Sequence, residues 1–319
     1  MSKIIITGAA GYIGGQIALL LKDQGHEVIG IDQAPCPVLL TAVFDEFHRD
    51  DFASGISLNG IKAAQPNAII HCAGTSLVGP SIEDPQDYYN NNVVKTLKLL
   101  DLIVKDLPTT RIIFSSSASV YGTPYMTPCH EVDPCEPISP YGESKLMIEM
   151  MLKSYHRAYN LDYVAFRYFN ACGADSQVRH GQEPGATHII ARALESLRDG
   201  TEFVLNGTDY ETDDGTCVRD YVHVEDIAKA HLLAVTTQLP SDIYNLGSSQ
   251  GTSNAEIVKA AMNITGKKLT FITGNRRDGD PAVLTASADK FTQVAGDWRR
   301  YNINDTIAHA WQWYYQPTV

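Results

Sequence analysis

The chain has 319 residues, of which 44% are hydrophobic, and it carries a net charge of −12 with a sequence pI near 5.2. This length allows one large or two modest domains. The acidic balance disfavours partners such as nucleic acid or an anionic membrane surface. No apolar run approaches the roughly 18 residues of a membrane helix, and the N-terminus enters a strand directly instead of a signal segment. We therefore expect a cytoplasmic protein.

Residues 3–14 combine a short apolar strand with a glycine-rich turn and the start of a helix. Gly8 permits a tight turn, Gly11 lets the backbone approach a pyrophosphate, and Gly14 allows the helix to pack closely on the strand. A helix N-terminus at this place attracts negative charge. The spacing is G-x-x-G-x-x-G and not the commoner G-x-G-x-x-G, so a purely structural turn is the alternative. The pattern favours a dinucleotide-binding turn.

A second strand, at residues 27–31, ends at Asp32. Asp32 follows Gly14 at close to the ~20-residue offset at which an acidic residue meets the ribose of a bound dinucleotide. A carboxylate there accepts hydrogen bonds from the 2′-hydroxyl and repels a 2′-phosphate. The sequence therefore predicts NAD, and not NADP, as the cofactor.

Strand-like and helical segments alternate over the first half of the chain, which is the rhythm of a doubly wound parallel sheet. We predict an α/β fold with a Rossmann-type sheet in residues 1–170, to which segments near 215–245 return. Residues 171–319 become polar and glycine-punctuated, and we predict that they mainly form a smaller C-terminal substrate-binding lobe. In that lobe, residues 253–256 read as a capping box before a helix that ends at Gly266.

One long helix is predicted over residues 84–107, where apolar residues recur at helical spacing. Such a stripe is typical of a core face, and a wide one also suits a dimer interface. Its members are Val93, Leu97, Leu100 and Val104, widened by Leu99 and Ile103.

Tyr141 and Lys145 lie four residues apart and would share one face of a helix. Ser139 is placed to cap that helix and Pro140 suits its first position. A free tyrosine titrates near pH ~10, so its use as a base at neutral pH requires a nearby positive charge, which Lys145 supplies. The pair by itself is common in surface helices, but next to a dinucleotide-binding turn it predicts a tyrosine general base.

Residues 114–122 run from a strand into a turn rich in serine. Ligands of open α/β sheets bind beyond the carboxyl ends of the strands, so these hydroxyls should face the cofactor crevice. One of them would be able to share a proton with Tyr141. For Ser115, Ser116 and Ser119, a simple turn-capping role is equally consistent with the pattern.

The six cysteines are scattered along the chain and are expected to be reduced. Cys129, His130 and Cys135 form the only cluster, and they lack a second ligand pair at zinc spacing. No metal site is predicted.

Eight short motifs follow one another in the order found in a known family, at residues 7–14, 71–74, 88–93, 115–122, 140–145, 167–170, 213–223 and 277–280. On these motifs the chain resembles, over essentially its whole length, the extended short-chain dehydrogenase/reductase superfamily. Within that superfamily it is most similar to the UDP-glucose 4-epimerases (UDP-galactose 4-epimerases).

The resemblance implies functional residues position by position. It places Tyr141 and Lys145, with Ser117, at the chemistry, with Ser117 and Tyr141 touching the sugar. Those implied to surround NAD are Gly8, Gly11, Tyr12, Ile13, Gly14, Asp32, Asp51, Phe52, Ala73, Gly74, Asn92, Tyr141, Lys145 and Tyr168. Those implied to hold the uridine diphosphate are Asn170, Arg219, Arg277 and Asp280. The arginines suit this role because a guanidinium fork matches phosphate oxygens.

Two positions depart from the family pattern. Thr75 and Ser76 stand where some epimerases carry a lysine, so one expected contact to NAD is absent. His188, beside Thr187, stands where relatives carry an asparagine near the uridine, which leaves that contact open.

The resemblance also implies a mechanism. Tyr141, as a phenolate beside Lys145, takes the proton of the sugar 4-hydroxyl, directly or through Ser117, while the C4 hydride passes to NAD. The resulting 4-keto sugar turns to present its other face, and the hydride returns. Tight retention of NAD follows, since loss of the reduced cofactor would strand the intermediate.

Rival functions differ at specific residues. Nucleotide-sugar dehydratases and UDP-glucuronate decarboxylases need a carboxylate just before Val120, where this chain has Ala118 and Ser119. A non-catalytic NAD-binding redox sensor would need the glycine turn but not Tyr141 and Lys145. The main substrates are expected to be UDP-glucose and UDP-galactose. The resemblance places Leu284 beside the sugar 2-position, and its intermediate size leaves UDP-GlcNAc and UDP-GalNAc as the alternative substrate pair. The resemblance also implies a homodimer.

Overall fold

The computed structural model describes residues 1–276 and 280–315. Its strands are β1 Lys3–Thr7, β2 Glu27–Asp32, β3 Glu46–Arg49, β4 Ala68–His71, β5 Arg111–Ser117, β6 Tyr163–Tyr168, β7 Asn170–Cys172, β8 Phe203–Asn206, β9 Val218–His223, β10 Asp242–Leu246, β11 Gly251–Ser253, β12 Phe271–Gly274 and β13 Val283–Leu284. Its α-helices are α1 Tyr12–Asp23, α2 Gly55–Ala64, α3 Val78–Glu83, α4 Pro85–Tyr88, α5 Lys95–Asp106, α6 Pro140–Tyr159, α7 Ile189–Asp199, α8 Val224–Thr236, α9 Asn254–Thr265, α10 Asp289–Ala295 and α11 Ile303–Tyr314.

A seven-stranded parallel sheet forms the larger part of the fold, in the order β10-β6-β5-β4-β1-β2-β3. Successive side chains of a strand point to opposite faces, so Ile4 and Ile6 of β1 pack against α1 and α8, while Ile5 packs on the side of α5 and α6. Both faces are therefore covered by helices, as in a doubly wound fold. The predicted fold class is confirmed.

The strand order reverses between β1 and β4, because β2 and β3 lie to one side of β1 and the remaining strands lie to the other. In such a sheet the carboxyl ends of the two strands at this reversal open a crevice. The crevice is bordered here by the turn after Thr7 and the turn after His71.

Two smaller sheets follow residue 170 in the chain. In one, β9 lies between β11 and β13 and also pairs with β7, and the other joins β8 to β12. Helices α7, α9 and α11 pack together around a separate apolar cluster. The seventh strand of the large sheet, β10, comes from the same half of the sequence, and the functional division near residue 170 stays a prediction.

The predicted single helix over residues 84–107 is interrupted. Asp84 caps α4, a π-helical turn occupies Tyr89–Val94, and α5 then begins at Lys95. A π turn places more residues in one turn and so rotates the apolar face. Within α5, Leu99, Leu100 and Ile103 are buried as core, whereas Leu97 is 38% exposed.

The capping box predicted at the start of α9 is present. The side chain of Ser253 accepts from the Glu256 amide, and Glu256 accepts from the Ser253 amide, while Gly266 ends the helix in a left-handed conformation.

Cys36, Cys72, Cys129, Cys135 and Cys172 carry reduced thiols. Across residues 1–276 and 280–315, none of the helices has the length and apolar character needed to cross a membrane.

Candidate active site

The glycine turn after β1 is held in a conformation that only glycine suits well. Gly8 has a φ of +73°, and a Cβ there would lie 2.6 Å from the Ala73 amide nitrogen of the neighbouring turn. A Cβ on Gly14 would lie 2.2 Å from the Gly8 carbonyl oxygen, so the absence of a side chain lets α1 pack directly on the turn. Gly11 is the N-cap of α1 and makes no side-chain cap. The amides at this helix start face the crevice.

Asp32, the last residue of β2, contacts the same glycine turn through its side chain. Its Oδ2 accepts from the Ala10 amide at 3.0 Å and its Oδ1 accepts from the Ala34 amide at 2.9 Å. A carboxylate retains further lone pairs after these two bonds, and Asp32 borders the crevice. The carboxylate is therefore held at the border of the crevice with acceptor capacity to spare.

The crevice is a cavity of about 570 Å³. It is bordered by the glycine turn, by the carboxyl ends of β2, β4 and β5, and by the start of α6. The described residues that line it are Gly8, Gly11, Tyr12, Ile13, Gly14, Ile31, Asp32, Gln33, Asp50, Phe52, Cys72, Ala73, Gly74, Thr75, Ser76, Asn91, Lys95, Ser115, Ser116, Tyr141, Lys145, Tyr168 and Gln182. Apart from Asp51 and Asn92, each residue for which the sequence predicts a contact to NAD lies on this wall.

Helix α6 presents Tyr141 and Lys145 to the cavity. Ser139 caps the helix by accepting from the Gly142 amide at 3.2 Å, and Pro140 occupies the first turn, as predicted. Gly142 allows close approach to the Ser119 carbonyl, from which its Cβ would be only 2.5 Å away. The helix start is thereby fixed against the serine turn that follows β5.

Lys145 is almost fully buried, with 5% of its surface exposed. Its Nζ donates to the Ser115 carbonyl at 2.9 Å and lies 5.8 Å from the centroid of the Tyr141 ring. Burial lowers the pKa of Lys145 to about 8. The ammonium is therefore a charge held near the phenol in a poorly solvated place.

Burial also raises the pKa of Tyr141, and a hydrogen bond with Ser117 acts in the opposite direction. The ring of Tyr88 packs against that of Tyr141 edge to face, with centroids 6.4 Å apart. The phenol is thus protonated in the protein alone, and a positive charge brought into the cavity would favour its ionised form.

Tyr168 belongs to a chain of buried hydrogen bonds. Its hydroxyl lies 2.9 Å from the Ser115 Oγ and 2.8 Å from the His231 Nε2, while the His231 Nδ1 lies 2.9 Å from the Ile227 carbonyl. A carbonyl only accepts, so His231 carries its proton on Nδ1 and accepts from Tyr168. Burial lowers the pKa of His231 to about 4, which keeps the ring neutral.

Asn92 lies behind the cavity wall and shapes it. Its Oδ1 accepts from the Thr75 amide at 2.8 Å, and its Nδ2 donates to the Thr75 carbonyl and to the Ser144 Oγ. Gly74 has a φ of +152°, and a Cβ there would meet Asn92 at 2.8 Å. Asn92 thus holds the turn after β4 against α6.

Asp51 is linked to the wall through Lys95. The Lys95 Nζ lies 2.7 Å from the Asp51 Oδ2 and donates to the Asn91 Oδ1 at 2.6 Å. The other carboxylate oxygen of Asp51 accepts from the Ala53 amide at 2.9 Å.

Three of the four residues predicted to hold uridine diphosphate are described. Arg219 donates to Asp280 at 2.6 Å, and Asn170 donates to the carbonyl of Asp220, the residue after Arg219. Arg277 lies outside the described residues. The structure therefore brings Asn170, Arg219 and Asp280 into one region around β9.

His188 precedes α7 and contacts the Gln182 side chain, which lines the cavity. Burial lowers the pKa of His188 to about 4. A neutral imidazole therefore stands where the family pattern has an asparagine.

Several residues of the cavity wall were not predicted from the sequence. Lys95 follows Asn91 by one helical turn, so the helical spacing was an available indication. Gln182 lies in an irregular segment without a local pattern, whereas Cys72 lies in the motif at residues 71–74 but was given no role there. Burial raises the pKa of Cys72 to about 11, so its thiol is neutral.

Residues 4–247 match the NAD dependent epimerase/dehydratase family. The chain belongs to this family. The UDP-glucose 4-epimerase of Halalkalibacterium halodurans is 38% identical over 318 residues, which cover 98% of this chain and 95% of that protein. The UDP-glucose 4-epimerase of Lactobacillus helveticus is 37% identical over 327 residues, covering 98% and 97%.

Solved structures of family members have the same fold. The UDP-glucose-4-epimerase from Stenotrophomonas maltophila, crystallised with NAD and formylated UDP-arabinopyranose, superimposes with a TM-score of 0.92 at 30% identity, covering 98% of each chain. The Brucella ovis enzyme in complex with NAD gives a TM-score of 0.91 at 37% identity, again covering 98% of each chain.

The described residues fit the cofactor of the family. Gly8, Gly11 and Gly14 line the cavity at the start of α1, where the N-terminal end of a helix suits a diphosphate. Asp32 offers a carboxylate for a ribose hydroxyl, and Lys145 and Tyr168 border the region beyond β5. NAD is the cofactor, and the protein is an enzyme of the epimerase class.

Proposed function

We propose that the protein interconverts UDP-glucose and UDP-galactose by transient oxidation at sugar C4. The observation that carries this proposal is the position of Tyr141. Its side chain lines the cavity proposed for NAD and forms a hydrogen bond with Ser117. A sugar hydroxyl placed between these two groups would meet a proton acceptor within reach of the cofactor. Full-length similarity to UDP-glucose 4-epimerases supports this choice of substrate.

NAD would be held by the glycine turn, by Asp32 at a ribose, and by Asp51 with Phe52 at the adenine end. When bound, NAD accepts the C4 hydride of the sugar and later returns it. Tyr168, fixed by Ser115 and His231, would border the nicotinamide end. Because the hydride must return to the same sugar, we expect the protein to retain its cofactor tightly.

Tyr141 would act as the base that removes the proton of the 4-hydroxyl, directly or through Ser117. Its pKa is raised by burial, so it needs positive charge nearby to ionise. Lys145 provides one charge, 5.8 Å from the ring centroid. The same residue returns the proton when the sugar is reduced, which makes the step reversible.

Inversion requires the 4-keto sugar to turn while the nucleotide stays anchored. Arg219, Arg277, Asn170 and Asp280 would hold the uridine diphosphate. In the described residues Arg219 is already oriented by Asp280 and by the Val218 carbonyl. A guanidinium fixed in this way would be able to bind a phosphate without reordering its own side chain.

Substrate breadth depends on the space beside the sugar. Leu284 is half-buried in β13 and pairs in register with Arg219. We propose UDP-glucose and UDP-galactose as the main substrates, with weaker activity on UDP-GlcNAc and UDP-GalNAc. A structural relative at 32% identity, the UDP-Glc/GlcNAc 4-epimerase from Campylobacter jejuni, keeps the second pair as the alternative.

A cytoplasmic homodimer is part of the proposal. Adjacent faces near α5 and α6 expose large apolar side chains, namely Val94 at 47%, Leu97 at 38%, Met147 at 41% and Met150 at 60%. A second copy would cover such a patch.

Proton NMR of UDP-galactose with purified protein and no added NAD tests the proposal. We expect the anomeric signals to move toward UDP-glucose until a fixed ratio is reached. If the spectrum stays unchanged, also after NAD is added, this substrate is wrong. The same experiment with UDP-GlcNAc then tests the alternative pair.

A further inference from the structure

Lys95 is a cavity-lining cation to which no role has been assigned. It begins α5, directly after the π-helical turn Tyr89–Val94, and its side chain is 24% exposed. Its ammonium contacts Asp51 at 2.7 Å and Asn91 at 2.6 Å. Asn91 lines the cavity, and Asp51 stands in the chain between Asp50 and Phe52, which also line it.

The charges along the wall are unevenly distributed. Among the described lining residues, the carboxylates are Asp32 and Asp50, and the lysines are Lys95 and Lys145. Lys145 is engaged elsewhere, since it donates to the Ser115 carbonyl and lies near the Tyr141 ring. Lys95 is therefore the described lining lysine that offsets negative charge at residues 50–52, through its ion pair with Asp51.

The hydrogen bonds of Lys95 leave it able to bind a ligand. An ammonium has three N–H donors and accepts nothing. Two donors are used by Asp51 and Asn91, and the third remains on a side chain that lines the cavity. The same contact to Asp51 Oδ2, together with the Ala53 amide on Oδ1, fixes the carboxylate of Asp51.

We propose that Lys95 binds the ADP-ribose half of NAD. It donates its third N–H to an oxygen of that half and holds Asp51 in place at the adenine. The proposal rests on NAD occupying the cavity and is independent of the sugar that the enzyme epimerises.

The competing explanation is a surface ion pair that merely stabilises the start of α5. Such pairs contribute little to stability, and they predict no effect confined to one half of the cofactor. The two explanations therefore differ in the effect that they predict for a Lys95 substitution on the binding of ADP-ribose.

Binding to the NAD-depleted full chain separates them. Lys95→Gln and the control Lys98→Gln, an exposed lysine of the same helix, are titrated calorimetrically with ADP-ribose and with nicotinamide mononucleotide. We expect Lys95→Gln to weaken ADP-ribose binding about 10-fold, because a charged hydrogen bond is lost and Asp51 is left unpaired. Nicotinamide mononucleotide binding should change less than about twofold, and Lys98→Gln should match the wild type for both ligands.

Retention of the intact cofactor gives a second readout. The half-life of radiolabelled NAD on the holoprotein, chased with unlabelled NAD, should shorten about 10-fold in Lys95→Gln and stay unchanged in Lys98→Gln. Should Lys95→Gln not fold, Lys95→Met keeps the aliphatic stem and the same comparison applies. Unchanged ADP-ribose binding, or equal weakening for both fragments, would overturn the proposal.

Discussion

Glu149 of α6 and Arg167 of β6 form a bidentate ion pair inside the core, with bonds of 2.9 and 2.7 Å. Their side chains are 1% and 2% exposed. Glu149 also accepts from Ser116 at 2.6 Å, and Arg167 donates to the Tyr121 hydroxyl at 2.8 Å. The pair therefore ties the helix that carries the candidate base to the serine turn and to the central sheet.

Breaking this pair should destabilise the fold strongly. Glu149→Gln leaves the Arg167 charge buried without a carboxylate, which typically costs about 3–5 kcal/mol. Urea unfolding followed by circular dichroism measures the loss. Asp199→Asn, which breaks the exposed pair with Arg198, is the control and should change little. A loss as small as that of the control would show that the buried pair does not stabilise α6.

Acid should destabilise the protein through its buried histidines. Burial lowers the pKa of His231 to about 4, below the ~6.5 of an unfolded chain, so only the unfolded state gains a proton between these values. Stability is then complete above pH ~6.5 and is lost as the pH falls toward 4. His231→Gln removes the titration and keeps an acceptor for Tyr168.

Between pH 7.5 and pH 5, the wild type should lose about 2 kcal/mol more than His231→Gln. Urea midpoints at the two pH values check this. His130→Asn, at an exposed histidine, should follow the wild type. Parallel losses in all three proteins would mean that His231 is protonated in the folded state.

Activity should decline on the alkaline side when Lys145 loses its charge. Burial lowers the pKa of Lys145 to about 8, so the ammonium beside Tyr141 is lost as the pH rises past that value. The kcat/KM profile reports groups of the free enzyme, and it should fall above pH ~8. Lys145→Arg should be less active but should shift this decline upward, because a guanidinium stays charged. A wild-type profile that is level to pH 10 would contradict the lowered pKa of Lys145.

The proposed dimer should dissociate when charge enters its apolar patch. Leu97→Glu with Met150→Glu places carboxylates where a second copy would have to bury them. Light scattering should give twice the 35.0 kDa chain mass for the wild type and about one chain mass for the variant. Val132→Glu, at a residue that is 90% exposed, is the control. A monomeric wild type would contradict the dimer.

The elements that the sequence predicted well are those encoded by neighbouring residues. The strand, glycines and helix around Gly8, the cap at Ser139 and the capping box at Ser253 each depend on local hydrogen bonding and sterics. The interruption at Tyr89–Val94 was not predictable from apolar spacing, because a π turn changes the period within the segment. The helix was therefore correctly located but its π turn was not predicted, and the exposed Leu97 leaves the dimer interface open as the alternative to a core face.

Contacts between distant segments were the least accessible from sequence. Lys95 meets Asp51, and Tyr168 meets His231, only because the sheet brings their strands and helices together. Gln182 reaches the cavity from an irregular segment with no periodic pattern. The wall of the site was thus predictable where family motifs exist and not where tertiary packing supplies the residue.

The turnover of Tyr141→Phe with UDP-galactose shows whether Tyr141 is the base for oxidation at C4. NAD content is measured on the same preparation, and Tyr155→Phe, on the same helix but outside the described cavity wall, is the matched control. We predict that kcat falls at least about 10³-fold while bound NAD stays at the wild-type level and the control is fully active. Turnover within a few-fold of the wild type, with NAD bound, would contradict the account.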